Sequence, residues 1–193
     1  MLPWNWKIQI VYSRRKTLAA AARGDGRILV KAPYGMTKQE ISRFLEKVQP
    51  KLEQDMAEMD LVRRKTREEG YLTRADMERL AKKAVETIPG RVQFYAEKIG
   101  VSYGRITIRN QKSRWGSCSS KGNLNFNCLL MLTPDKAIDS VIVHELCHRK
   151  EMNHSPKFYE EVLKVFPEYY TWDRWLKKNG TAILLKGDRK SVV

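Results

Sequence analysis

The sequence predicts an α+β fold in which a small N-terminal β-meander precedes a series of helices. Two observations favour this class: short β-like runs cluster near residue 20 and again after residue 100, and helical periodicity fills most of the remaining chain. The 193 residues are 42% hydrophobic and 31% charged, which is typical of a folded, soluble protein. A chain of this size can bury a core without disulfide bonds.

The first part of the chain predicts three strands and one helix. The strands are expected at residues 8–12, 17–22 and 27–32. Gly24-Asp25-Gly26 joins the second and third of them as a hairpin turn. Thr37 and Glu40 have capping-box spacing, so a helix is expected from about residue 38 into the fifties despite Pro50.

A charged stretch, residues 63–70, is predicted to be a linker or an exposed helix end. Thr73 with Asp76 starts the next helical segment, which Pro89-Gly90 divides into two helices or kinks, and which Gly100 ends. We therefore expect three parts: an N-terminal subdomain of residues 1–70, a second domain of residues 71–180 and a C-terminal tail of residues 181–193.

The second part of the chain predicts two strands and then helices. The strands are expected at residues 105–110 and 123–131, on either side of a loop at 112–122. Thr133-Pro134-Asp135 opens a helix that is apolar over most of its circumference to Cys147 and should be buried. A helix starting at Ser155-Pro156 and a last one ending at Asn179-Gly180 complete the chain.

The buried helix contains His144-Glu145-Leu146-Cys147-His148, which matches H-E-x-x-H. One helical turn separates His144 from His148, so both imidazoles lie on one face and can share a tetrahedral zinc ion. Glu145 is beside them and can reach a water on the metal without being a ligand, which is the position of a general base. All three histidines of the chain fall within eleven residues, which favours a site over a chance match.

A third ligand is expected at His154, six residues after His148. Asn153 can adopt the left-handed backbone conformation that turns the chain back toward the helix. The metzincin pattern has the same six-residue step, but Glu151 occupies the place of its glycine. The competing third ligands are carboxylates on the helices that follow: Glu160, Glu161 and Glu168.

The chain resembles the YgjP-like metallopeptidase family, which is related to the SprT and WLM zinc proteases. The stretches that carry the resemblance are Arg114-Trp115-Gly116-Ser117-Cys118, Asn123 to Asn127, Leu132-Thr133-Pro134, the H-E-x-x-H sequence, Asn153-His154-Ser155 and Phe158. The resemblance implies a zincin-like domain, zinc held by His144, His148 and His154, and Glu145 as catalytic base. It implies metal-dependent hydrolysis more directly than peptide hydrolysis. We expect a metallopeptidase, with a metal-dependent pyrophosphatase acting on uridine nucleotides as the alternative.

Arg114 has two interpretations of similar weight: it steadies an oxyanion or phosphate, or its loop only packs Trp115 into the core. Cys118, Cys128 and Cys147 are expected to be small buried residues rather than ligands. The aromatic residues near the end, among them Tyr169, are predicted to form a helix packing face.

The partners and location follow from charge and composition. Lys and Arg exceed Asp and Glu by 15, so a nucleic acid partner is possible from charge alone. No nucleic-acid motif is present. A nucleic-acid-binding module with a structural zinc is therefore the weakest of the three functional hypotheses. The substrate is expected to be a protein, a peptide or a nucleotide. No membrane segment or secretory signal is apparent and the cysteine number is odd, so we expect a cytoplasmic protein. The oligomeric state is not predicted.

Overall fold

The structure is a computed structural model that describes residues 6–23 and 26–187. The chain divides into two compact units, Met1–Glu69 and Gly70–Val193, which we describe separately. Both units combine strands with helices, so the α+β class is confirmed. Within the described ranges, none of the helices has the length and apolar character that a transmembrane segment needs.

The first unit contains a three-stranded sheet and one long helix. Its elements are β1 (Lys7–Ser13), β2 (Ala19–Ala22), β3 (Arg27–Pro33) and α1 (Lys38–Glu69). β2 and β3 pair in antiparallel fashion as expected, although Gly24 and Asp25 of the predicted turn lie outside the described residues. The predicted meander is wrong, because β1 pairs in parallel with β3 and the strand order is β1-β3-β2. β3 is the central strand, with β1 on one side and β2 on the other. It carries a row of three fully buried residues, Ile28, Val30 and Ala32.

Helix α1 covers that buried row. Its N terminus has the predicted capping pair, in which the Thr37 backbone N–H donates to a Glu40 carboxylate oxygen at 2.8 Å. Ile41, Leu45 and Leu52 are buried on its inner side, in one cluster with the apolar residues of β3. The helix continues through the charged stretch 63–70, so this stretch is an exposed helix end and not a linker.

The described part of the second unit contains four α-helices, three strands and one short 3₁₀ turn. The helices and strands are α2 (Arg74–Ile99), β4 (Ile106–Arg109), β5 (Gly116–Cys118), β6 (Leu124–Asn127), α3 (Asp135–Cys147), α4 (Pro156–Val165) and α5 (Tyr169–Lys186). β6 is the central strand, parallel to β4 and antiparallel to β5. α2 is one helix that contains Pro89; the Thr73–Asp76 capping box opens it, and Gly100, with φ of 76°, closes it.

Two predicted boundaries in the sheet region are wrong. The expected loop 112–122 contains β5, and the expected strand 123–131 ends at Asn127, where a short 3₁₀ turn begins at Cys128. The change of direction has a local cause: the Asn127 side chain accepts the Leu129 backbone N–H at 3.1 Å, which caps the turn.

The last helix does not end at Asn179-Gly180, so residues 181–186 of the predicted tail are helical. It extends to Lys186 because Ile183 and Leu184 pack against the core of the second unit. Gly180 permits a close approach instead, since a Cβ atom there would lie 2.9 Å from the Trp115 ring. Near the end of this helix, the Leu72 backbone N–H donates to the Lys186 carbonyl oxygen at 2.9 Å.

Helix α3 lies at the centre of the second unit, as its apolar circumference predicts. Ile142, Val143, Leu146 and Cys147 are fully buried. α2, α4, α5 and β5 all contact it. This enclosure leaves the polar residues of α3 with little access to water.

Candidate metal centre

The polar side chains of the site come from the C-terminal half of α3. His144 and Glu145 lie in its last turns, and His148 is the residue that ends it. Glu145 and His148 are 7% and 8% exposed, whereas the flanking positions of the helix are filled by core residues. The sequence prediction of a buried helix that ends at Cys147 is therefore confirmed.

The structure brings together the three histidines of the chain. One side-chain nitrogen of each of His144, His148 and His154 lies within 4.8 Å of the other two. The Nε2 atoms of His144 and His154 are 3.0 Å apart. A tetrahedral zinc site with Zn–N bonds of 2.0–2.1 Å requires nitrogens about 3.3 Å apart, so this donor set fits such an ion.

The competing carboxylates are engaged elsewhere. Glu161 forms ion pairs with Lys150, at 2.6 Å, and with Lys164. Glu168 pairs with Lys136 at 3.2 Å. Glu160 is exposed, and none of the three belongs to the histidine group. The structure thus brings His154, and not these residues, to the pair on α3.

The chain reaches His154 through a turn stabilised by backbone hydrogen bonds. The N–H groups of Lys150 and Glu151 both donate to the Cys147 carbonyl oxygen at 3.0 Å. The expected left-handed conformation of Asn153 is wrong, because every described residue with positive φ is a glycine. These bonds pair the last carbonyl groups of α3 without a left-handed residue, so none is needed at the reversal.

Two of the histidines, His144 and His148, form a hydrogen bond through Nδ1, which leaves Nε2 facing the cluster. The His148 Nδ1 atom is 3.0 Å from the Glu151 carbonyl oxygen, which can only accept, so Nδ1 carries the proton and the Nε2 lone pair is free. The His144 Nδ1 atom is 2.8 Å from the Tyr169 hydroxyl. These contacts orient both rings toward the cluster, as outer partners of metal ligands do.

Tyr169 is a residue whose role sequence analysis missed. It was predicted only as a packing residue, and it is indeed buried, at 6% exposed. Its hydroxyl reaches His144 across 25 positions of sequence, from the first residue of α5. No local pattern marks this contact, because it depends on how α5 packs against α3.

His144 and His148 are held in their neutral form at neutral pH. Burial, together with the neighbouring His148 and His154, lowers the pKa of His144 to about 3. Burial also lowers the pKa of His148. Neutral imidazole is the form that binds metal, so the site does not need to lose protons from these rings first.

Glu145 lies beside the histidine cluster and outside it. Burial raises the pKa of its carboxyl to about 7, against the opposing effects of the Cys118 backbone N–H, which donates to it, and of Arg114. A Cβ atom at Gly116 would lie 2.8 Å from Glu145 Cγ and Oε1, so β5 can pass this close only with glycine there. A carboxyl with a pKa near neutrality is suited to exchange a proton at physiological pH.

Arg114 is exposed and close enough to Glu145 to lower the pKa of that carboxyl. Its backbone is fixed by the fully buried Asn127, whose amide group donates to the carbonyl oxygens of Gln111, at 2.7 Å, and Arg114, at 2.9 Å. Sequence analysis did not single out Asn127. An asparagine at the end of a strand has several ordinary explanations, so no signal in one sequence distinguishes this role.

The cysteines are separate from the histidine group. Cys128 and Cys147 are buried, and Cys118 is partly exposed. Burial raises the pKa of Cys147 to about 12 and also raises that of Cys118, so both thiols stay protonated at neutral pH. A protonated thiol is a poor metal ligand.

Two cavities meet at the site and share His144, Tyr169, Asp173 and Lys177. The first, about 680 Å³, opens beside His154 and is walled by Tyr159 and Tyr170. The second, about 410 Å³, opens beside Glu145. The two cavities therefore reach the histidine cluster from the side of His154 and from the side of Glu145.

Comparison with known proteins identifies the family. The profile described as YgjP-like, metallopeptidase domain, matches residues 62–179, which include every site residue named above. No protein of curated function matches the chain. Two solved metallopeptidase zymogens are similar over 48% of this chain: abylysin of Pyrococcus abyssi (25% identity, 94% of its chain, TM-score 0.44) and jannalysin of Methanocaldococcus jannaschii (22% identity, 95% of its chain, TM-score 0.43).

Proposed function

The chain belongs to the YgjP-like metallopeptidase family, and on that premise we propose that it hydrolyses peptide bonds with a zinc ion held by His144, His148 and His154 and with Glu145 as general base. The observation that carries the proposal is the convergence of three imidazole nitrogens next to a buried carboxyl that is not one of them. The family match supports peptidase chemistry and gives no support to the nucleotide pyrophosphatase alternative.

Zinc is proposed because of the donor set. Three imidazoles suit zinc, and three protein ligands with one position left open are typical of catalytic rather than structural sites. When bound, such an ion supplies a Lewis acid that polarises a carbonyl group and lowers the pKa of a water molecule. The Tyr169 hydroxyl and the Glu151 carbonyl orient two of the ligands and limit the freedom of their rings.

Glu145 is proposed to move the proton. Its carboxyl is buried, so the ionised form is not stabilised by bulk water and accepts a proton readily at neutral pH. The Cys118 backbone N–H holds the carboxylate in place, and Gly116 leaves space for it. Glu145 takes a proton from the attacking water and returns it to the leaving amine. Arg114, at the exposed edge beside Glu145, is proposed to bind an anionic group of the substrate.

The substitution Glu145→Gln tests this proposal, because it keeps the size of the side chain and removes the base. We expect zinc content to remain near one per chain and hydrolysis of casein to fall by roughly two to four orders of magnitude. Both are measured on the zinc-loaded protein, by elemental analysis and by release of peptides. Glu160→Gln is the matched control, since Glu160 is exposed on α4. Wild-type turnover by the zinc-containing Glu145→Gln protein would exclude the mechanism.

The proposed location is the cytoplasm. The three cysteines are free thiols in the structure, which fits a reducing compartment. Fractionation with antibody detection would test the assignment.

A further inference from the structure

The cavity beside Glu145 is enclosed by three parts of the second unit: α3, α5 and the segment 113–116. Its volume, about 410 Å³, falls in the range of roughly 300–1,000 Å³ that is usual for small-ligand pockets. Val141 and Leu176 in its wall are 7% and 8% exposed, and Trp115 and Leu184 also line it. The inner surface is therefore mainly apolar.

The polar groups of this cavity offer little to a polar ligand. Ser140, at 1% exposed, already donates its hydroxyl hydrogen to the Ala137 carbonyl oxygen at 2.8 Å. Lys177 is paired with Asp173 at 2.6 Å. Arg114 lies at the exposed edge, where it is proposed to bind an anionic group, and Lys177 is paired with Asp173, so the inner wall offers no unpaired charge to a side chain that enters. A polar or charged group that entered would lose water without gaining an equivalent partner.

The position of the cavity relates it to the reaction. His144 and Glu145 form one of its boundaries, so a chain that places its scissile bond at Glu145 brings a neighbouring side chain to this opening. Gly180 also lines the cavity, and its missing side chain lets Trp115 approach α5. The indole ring therefore occupies the space that a side chain at position 180 would fill.

We infer that this cavity is a specificity pocket that accepts a leucine- or phenylalanine-sized apolar side chain of the residue adjoining the scissile bond. The inference rests on the proposed function and specifies its substrate class. Burial of such a side chain corresponds to about a tenfold to hundredfold preference over glycine or a charged residue.

The test uses the zinc-loaded full chain and a library of quenched fluorescent hexapeptides in which each position is varied among Gly, Leu, Phe, Asp and Lys. Mass spectrometry locates the cleaved bond. We expect kcat/KM to be about tenfold to a hundredfold higher for Leu and Phe than for Gly, Asp and Lys at one position next to that bond. Equal rates for all five residues, or a preference for a charged one, would overturn the inference.

Two substitutions connect the preference to the cavity. Thr181→Phe adds a ring to the wall and should reduce the preference for Leu at least tenfold, with zinc content unchanged. Lys178→Phe adds the same ring to an exposed position of α5 and should leave the preference intact. If Thr181→Phe does not fold, Leu184→Ala enlarges the same wall and should shift the preference from Leu toward the larger Phe.

A preference that neither wall substitution alters would place the selecting contact elsewhere and overturn the inference. Failure of the proposed function is a different result: neither the hexapeptides nor casein would be cleaved by the zinc-loaded wild type. The two failures are therefore distinguished by the wild-type protein alone.

Discussion

The two sheets of this chain have the same topology and different surroundings. In each, the third strand is central, pairs in parallel with the first and in antiparallel fashion with the second: β1-β3-β2 in the first unit and β4-β6-β5 in the second. In each, a helix contacts the second strand, α1 in one case and α3 in the other. Of these two helices, α3 contributes to the histidine cluster, because His144 lies on it and His148 ends it.

The difference lies in how far each helix is removed from water. Four of the 32 residues of α1 are buried, whereas nine of the 13 residues of α3 are. α2, α4 and α5 pack around α3, so His144 and Glu145 lose solvent and their pKa values move to about 3 and about 7. The same strand arrangement therefore supports chemistry only where further helices desolvate the polar side chains.

The strongest test of this comparison removes two ligands. His144→Ala combined with His148→Ala should reduce bound zinc from about one per chain to none, measured by elemental analysis after dialysis. Hydrogen exchange in β1–β3 should not change, because the first unit contributes no ligand. Glu168→Ala is the control and should keep its zinc; loss of zinc in that variant would mean that the third ligand is wrongly assigned.

A core truncation in each unit gives the next largest effect. Leu45→Ala, in the first unit, should lower the free energy of unfolding by about 2–5 kcal/mol and leave zinc affinity unchanged. Leu146→Ala, on α3, should cost a similar amount and also weaken zinc binding, because it loosens the helix that holds two ligands. Hydrogen exchange measures the free energy of unfolding, and competition with a chelator measures the zinc affinity. Weaker zinc binding in Leu45→Ala would contradict the separation.

A smaller effect is expected at the contact behind His144. Tyr169→Phe removes the hydroxyl that contacts His144. It should weaken zinc binding about tenfold, which is the lower end of the range for residues that orient metal ligands. Competition with a chelator measures the affinity. Tyr170→Phe is the control, because His144 bonds to the Tyr169 hydroxyl and the neighbouring Tyr170 is 46% exposed. Equal affinities of the two variants would show that the contact does not orient the ligand.

The smallest effect is expected from removing the ion pairs of Glu161, which lie beside the site. Hydrogen bonds from Lys150 and Lys164 lower the pKa of Glu161 from 4.5 to about 2. The depressed pKa adds stability above about pH 4.5, and this contribution is lost as pH falls through about 2. Glu161→Gln should slightly lower the thermal midpoint at pH 6 and not at pH 2, with Glu160→Gln unchanged at both. A difference that persists at pH 2 would contradict the assignment.

Local patterns predicted the helices well and the sheets less well. The capping pairs at Thr37 and Thr73 and the apolar circumference of α3 are properties of a few adjacent residues, and each matches the structure. The parallel pairing of β1 with β3 depends on strands that are distant in sequence, and β5 has only three residues. Neither leaves a periodic signal that is long enough to detect.

The candidate site shows the same division. H-E-x-x-H on a helix and the nearby His154 are visible in sequence because their spacing follows the helical repeat and a short turn. Tyr169, Gly116 and Asn127 act on the site through tertiary contacts, so their roles emerge only from the folded chain. Gly180 was misinterpreted for the same reason: it is a helix end by local rules and a contact with Trp115 in space.

The hydrogen bond between Leu72 and Lys186 has a consequence for protein engineering. It places the two ends of the described part of the second unit side by side, with a backbone N–H and a carbonyl oxygen 2.9 Å apart. Chains whose ends are adjacent tolerate circular permutation, because a short linker can close them without disturbing the core. Residues 70–187 can thus be rejoined head to tail and opened at the exposed turn around Lys121, which would keep the three histidines in one segment of the rearranged chain.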